Sequence, residues 1–307
     1  MRTFCPLFDL GDANIRIRKE ASSNYPAYPA RRRGNFMPHI TITRPSKTLW
    51  RASLDNGPVN LVNSQTIVEL RSLIDEAEAD TDLAVILFES ANPGYFMAHW
   101  DLAEDPAKTT DLPPGKTGQQ PFVDVLIRLS KLPVLTVSAI RGRARGAGSE
   151  FVLATDIRFA SRERAVLGQF EVAAGLIPGG GAPSRLPRLV GRGRALEILA
   201  GANDFDGDLL ERYGYVNRAI PDAEFEGFVD SFVTRVAGFG RRVIGELKQC
   251  VDPLTLPDDV EFPPQADLFW TTVVQPEVQD WARRQFERGL QQSGEVEENL
   301  GEFAARR

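Results

Sequence analysis

Cysteine and histidine are nearly missing from this chain: two of each occur in 307 residues, Cys5 and Cys250, His39 and His99. Two such distant cysteines give neither a disulfide framework nor a thiolate metal cluster. Two histidines exclude a histidine-rich zinc site, and no metal is expected. No stretch approaches the roughly 18 apolar residues that a membrane span needs, so no membrane partner is expected. The N-terminus lacks a long apolar core for export, and Asp9, Asp12 and Glu20 do not suit an acid-poor transit peptide. The expected location is the cytoplasm. Positive charge is also short, with 36 Lys and Arg against 42 Asp and Glu and a formal net charge of −6. That balance argues against nucleic acid as a partner.

What is present is ordinary for a globular protein with an ample core: 42% of residues are hydrophobic and 25% charged. The length suits one large domain, or one domain with appendages. Residues 1–36 combine Tyr25-Pro-Ala-Tyr-Pro29 with the basic run Arg31 to Arg33, a composition that predicts an extended or partly disordered arm. A core is expected over 37–252. His39 to Thr43 and Thr48 to Leu54 read as the strands of a hairpin. Asn63-Ser64 is a helix cap, followed by Ile67, Leu70, Ile74 and Ala77 at helical spacing. Asp82 to Phe88 is an apolar run of strand length, as for a strand covered on both faces. Residues 103–120 read as a polar loop. Phe122, Val125, Leu126 and Leu129 mark a helix leading to another strand at Pro133, the grammar of a parallel sheet. Residues 253–307 begin as a proline-rich linker. They end in a period-four stripe, Val278, Ala282, Phe286 and Leu290, packing on the body or on another subunit. No internal repeat is visible.

Pro133 to Arg185 carries the chemistry. A strand, Pro133 to Ile140, runs into an Arg/Gly-rich elbow, Arg141-Gly-Arg-Ala-Arg-Gly-Ala-Gly148, and a helix opens at Ser149-Glu150. Such an elbow offers unpaired N–H groups beside the positive end of a helix dipole, suited to an anion or to an oxygen that becomes negative during a reaction. Glu150 and Glu171 stand at the ends of two strand–loop passages. Chemistry that forms an oxyanion and moves a proton needs both parts.

These motifs, with Gly168-Gln-Phe-Glu171, Gly175-Leu-Ile-Pro-Gly-Gly-Gly181, Tyr215 to Pro221 and Tyr95-Phe-Met-Ala-His-Trp-Asp-Leu102, resemble the crotonase (enoyl-CoA hydratase/isomerase) superfamily over roughly Pro38 to Val251. The resemblance implies an α/β fold, a crotonase-like ββα spiral core with a C-terminal helical region. It implies an acyl-CoA substrate, coenzyme A entering as part of the thioester with no tightly bound cofactor, and a homotrimer or homohexamer. The backbone N–H groups of Met97 and Ala147 match the oxyanion-hole donors. Glu150 and Glu171 match the catalytic pair, Glu150 activating water and Glu171 protonating Cα. His99, Trp100 and Phe170 are candidate contacts of the substrate pocket. Arg141, Arg143 and Arg145 alternate, so in an extended chain they share one face and meet phosphates or, more ordinarily, acidic side chains.

The activity this implies is hydration of an α,β-unsaturated thioester, or the reverse elimination. Isomerase, hydrolase and carbon–carbon lyase chemistry use the same hole. From other classes, a catalytically silent scaffold or a nucleic-acid-binding relative stays open.

Overall fold

The computed structural model describes residues 38–306, and the arm expected over 1–36 lies outside the described residues. The first elements are the expected hairpin, β1 (Ile40–Ser46) and β2 (Leu49–Leu54), antiparallel with Ile40 opposite Leu54. Helix α1 (Ser64–Ala79) begins where the sequence caps it. Asn63 accepts from the Thr66 N–H, the Thr66 hydroxyl answers the Asn63 N–H, and two orphan donors of the first turn are satisfied together. Its Ile67, Leu70, Ile74 and Ala77 are buried, as their spacing requires.

β3 (Val85–Ser90) is the apolar run. It lies parallel between β2 and β5 (Leu135–Ile140), and Val85 to Phe88 are shut off from solvent. β7 (Ile157–Ser161) and β10 (Arg218–Ile220) complete a six-stranded sheet in the order β1-β2-β3-β5-β7-β10. A smaller sheet has β4 (Tyr95–Met97), β6 (Arg143–Arg145), β8 (Val166–Gly168) and β9 (Asp204–Asp206), adjacent in that order.

Three times the chain passes from the large sheet to the small one, β3 to β4, β5 to β6 and β7 to β8, and then turns into helix. The helices after β4 are α2 (Ala107–Thr110) and α3 (Pro121–Ser130); the one after β6 is α4 (Ala147–Ala154). A 3-10 turn, Glu171–Ala174, follows β8 and leads to α5 (Ala182–Val190) and α6 (Arg192–Gly201). This is the ββα spiral. Its repetition is structural, and the three units share no sequence pattern.

Next come α7 (Gly207–Tyr213), α8 (Asp222–Ala237) and α9 (Arg241–Thr255). Here the linker expectation is corrected: Pro253 lies inside the last turn of α9, and Pro263 and Pro264 lie in the first turn of α10 (Phe262–Val273). A missing N–H does no harm in a first turn. The tail ends with α11 (Pro276–Arg288), α12 (Glu295–Glu298) and α13 (Leu300–Ala305). Trp270, Val278, Trp281, Leu290 and Leu300 pack with Leu102, Phe170, Ala174 and Leu176 in one hydrophobic cluster. Each such buried side chain contributes about 2 kcal/mol. The period-four stripe therefore faces the body of its own chain. Among the described residues no helix is long and apolar enough to cross a membrane.

Candidate active site

The elbow places its groups by backbone geometry. Gly146 has φ of +47°, and a Cβ there would stand 2.7 Å from Glu171 Oε1. Only glycine allows the chain to turn while the second carboxyl comes this close. Ala147 is the first residue of α4, so its N–H has no intrahelical carbonyl to receive it. At Gly148 a Cβ would fall 1.8 Å from the Met97 carbonyl oxygen, so the helix start lies flush against the end of β4.

Glu150, in the first turn of α4, is buried, and its Oε1 accepts the N–H groups of Gly180 (2.7 Å) and Ala182 (3.1 Å). The glycine turn thus serves as a clamp for this carboxylate. Burial pushes the Glu150 pKa up to about 7, while the Ala182 and Gly180 N–H groups and the nearby Arg185 guanidinium restrain the rise. Glu171 is also buried, and its pKa lies well above the usual carboxylate range, first through burial and then through the charge of Glu150. Two adjacent carboxyls cannot both ionise cheaply in a dry site. Glu150, which accepts two backbone N–H groups, is the one suited to hold the charge, and Glu171 the one to keep the proton.

A polar chain supports Glu171 from behind. Burial pushes the Tyr215 phenol pKa up, so it stays protonated and hydrogen-bonds to Ser149 Oγ. With the Gln169 amide turned so that its oxygen accepts from Ser149 (3.1 Å), its nitrogen donates to both Glu171 oxygens at 3.0 and 3.2 Å.

Ala147, Glu150 and Glu171 border one cavity of about 60 Å³. Trp100 and Phe122 form an edge-to-face pair on its wall, and Phe269 and Trp270 of α10 form another. The tail therefore closes the cavity of its own chain. Among the described residues no group of three or more His, Cys, Asp or Glu could hold a metal.

The other expected site residues divide. Met97, expected as a backbone donor, is a buried strand residue paired with Ala144 and does not border the cavity. Trp100, three residues on, does. The Val62 N–H donates to the His99 carbonyl and the Asp101 N–H to the Val62 carbonyl, both at 2.8 Å. Backbone groups alternate sides along an extended chain, so the Trp100 N–H points away from Val62.

His99 and Phe170 are corrected as well, since neither borders the cavity. The buried His99 ring pairs through Nε2 with Glu297 Oε1 (2.9 Å) and donates through Nδ1 to the Trp100 carbonyl (2.7 Å). Burial alone would lower its pKa, but the charge and hydrogen bond of Glu297 prevail and raise it. Burial works against the Glu297 carboxylate too, yet His99 and the Gln291 N–H hold its pKa below the usual range. Phe170 lies between His99 and Trp281, stacked on the latter at 6.2 Å.

The three arginines each have partners within the protein. Arg141 pairs with Asp222, and Arg143 donates to the Glu298 carbonyl. Arg145 makes a bidentate pair with Asp204, at 2.6 Å on each side, and donates to the Glu297 carbonyl. Sequence reasoning missed Gln169, Thr109, Gln120, Phe269, Trp270 and Glu297. Only Gln169, inside the Gly168-Gln-Phe-Glu171 motif, carried a local signal.

Residues 46–282 match the family model described as Enoyl-CoA hydratase/isomerase. A short-chain-enoyl-CoA hydratase from Clostridium acetobutylicum is 29% identical over 213 residues, 69% of this chain and 76% of its own. A Streptomyces avermitilis protein, whose crystal structure is described as that of a candidate enoyl-CoA hydratase, is 39% identical. It matches with a TM-score of 0.82 over 88% of this chain and 97% of its own. An enoyl-CoA hydratase from Mycobacterium avium subsp. paratuberculosis, at 20% identity, shares the fold with a TM-score of 0.71 over 81% of this chain and 96% of its own.

Proposed function

We propose, for a chain that belongs to the enoyl-CoA hydratase/isomerase family, that it adds water across the double bond of a short α,β-unsaturated acyl-CoA, or removes it. The observation that carries this is the unequal carboxyl pair on one cavity wall. Glu150 is clamped by N–H groups and holds the charge; Glu171 is kept neutral. The Glu150 carboxylate takes a proton from water as the water oxygen bonds Cβ. Negative charge moves to the thioester oxygen, and the resulting enolate takes a proton at Cα from Glu171. The two glutamates exchange protonation states, and solvent resets them.

The enolate oxygen needs donors fixed in advance. Ala147 N–H supplies one, and we place the other at Trp100 N–H rather than Met97, because Trp100 borders the cavity. Losing one such donor costs about 3 kcal/mol in comparable sites. Ala147→Pro removes a donor at a first helical position, where proline is tolerated. Turnover should fall about 10²-fold or more while the circular dichroism spectrum stays native. Mass spectrometry of products from a panel of enoyl-CoAs in heavy-oxygen water tests the reaction itself. One heavy oxygen on Cβ is expected; label in a released carboxylate would mean hydrolysis, and a moved double bond without label would mean isomerisation.

A homotrimer or homohexamer forms part of this reading. α9 leaves Val243, Leu247, Val251 and Leu254 exposed along one stripe, Leu254 to 85%. A second copy of the chain is its proposed cover. Light scattering at micromolar concentration should show a multiple of three, and a monomer would defeat this assignment.

A further inference from the structure

Two residues of the cavity wall each carry a buried polar atom with no partner among the described residues. One is Thr109 Oγ1, in α2, on a residue only 3% exposed. The other is Gln120 Nε2, on the residue just before α3. The orientation of the Gln120 amide is fixed. Its Oε1 accepts the Trp270 indole N–H at 2.5 Å, and an indole nitrogen only donates. The amide nitrogen is left with nothing to bind.

Thr109, Gln120, Pro121 and Trp270 also back onto a surface hollow of about 250 Å³. They are therefore a partition closing one end of the cavity, yet both orphan atoms are shut off from open water. Buried polar groups are ordinarily satisfied, and an unmet pair at the end of a substrate cavity points to a ligand atom. Among the described residues the charged groups on the cavity wall are Glu150 and Glu171; Arg185, whose charge reaches Glu150, does not line it. A carboxylate at the far end of the substrate would be repelled. A neutral oxygen fits both orphans: it accepts from the Gln120 amide and pairs with the Thr109 hydroxyl, which can donate or accept.

We infer that the acyl group taken here is short and ends in an uncharged oxygen, a hydroxyl or a carbonyl, held by Gln120 Nε2 and Thr109 Oγ1. This rests on the hydration reading above and specifies its substrate. The aromatic walls bury the carbon skeleton, while the two polar atoms select among skeletons of similar size.

The test compares butenoyl-, pentenoyl- and hexenoyl-CoA with their terminally hydroxylated counterparts, by kcat/KM. The wild type should favour at least one hydroxylated substrate over its plain counterpart by about tenfold or more, since a site built to bond an oxygen rejects the analogue without one. Thr109→Val keeps the shape and removes the hydroxyl; it should bring that preference to within about threefold. Thr109→Ser should restore the preference. Gln120→Met, checked for native circular dichroism, should act like Thr109→Val. If plain substrates are hydrated as well as hydroxylated ones and Thr109→Val shifts neither, this inference falls and the hydratase reading stands. If no member of either series is hydrated, the hydratase reading falls and takes this inference with it.

Discussion

His99 and Trp100 are neighbours in sequence and belong to two different buried polar sites. Trp100 looks onto the cavity of Glu150 and Glu171, where like groups meet without a cation on the wall. His99 looks onto Glu297, beside Arg145 and Asp204, where opposite charges are paired and the tail is fastened to β6. The sites are similarly dry and differ in what burial does to them. In the cavity it raises both carboxyl pKa values, so that one of the two readily holds a proton. In the latch the mutual attraction prevails over desolvation, and both partners stay charged. The first arrangement carries a cost in stability; the second holds a segment in place.

Breaking the latch should have the largest effect. Glu297→Ala leaves the His99 ring buried without its acid and frees α12, and removing one partner of a buried pair typically costs about 3–5 kcal/mol. The urea midpoint should fall accordingly. A variant with wild-type stability would show that the latch contributes nothing.

Glu150→Gln and Glu171→Gln should do the opposite. Each removes a group that is strained by burial, so melting temperature should hold or rise, while turnover drops about 10²-fold or more. A loss of stability like that of Glu297→Ala would mean that the two sites do the same work.

Smaller, and opposite in sign at low pH, are the linkage effects. Glu150 binds its proton more tightly folded than unfolded, so stability falls as pH rises from the ordinary carboxylate range to about 7. Glu150→Gln should flatten that slope in a series of melting curves. Glu297 is depressed, so its contribution is present above the ordinary carboxylate pKa and lost as pH falls through the folded value. His99 is raised, so its contribution is full below its ordinary pKa and lost as pH rises through the folded value. Activity should rise with pH through an acid limb near 7 as Glu150 ionises. An acid limb near 4 would return Glu150 to ordinary solvation. The smallest effect should be that of Ala147→Gly, which keeps the donor N–H: turnover within about twofold, and stability lower by no more than about 1 kcal/mol.

The part of the site legible in the sequence was the part encoded locally. The elbow, the N-cap at Asn63 and the apolar run of β3 are all signals within a few residues, and the motifs that placed Ala147, Glu150 and Glu171 lie within one stretch of chain. Partnerships across the chain were not legible. His99 read as a pocket residue because its neighbours suggested one, whereas its partner lies 198 positions away. Thr109 and Gln120 sat in a stretch read as polar loop, and loop composition says nothing about which polar atoms a tail from residue 262 onward will bury. Met97 matches the donor only by its place in a motif. The alternation of the backbone beside Val62, which favours Trp100, needs the paired strand to be seen.

The tail wall has a consequence in the order of synthesis. Phe269 and Trp270 seal the cavity and Glu297 fastens the seal, so the dry environment that sets the glutamates apart is assembled from a segment made well after the elbow. At ordinary elongation rates Glu150 leaves the peptidyl-transferase centre on the order of ten seconds before Glu297 is added. For most of that interval neither glutamate has the wall that Phe269 and Trp270 supply. A nascent chain that stops short of Phe269 carries every residue of its elbow without the wall that sets its two glutamates apart.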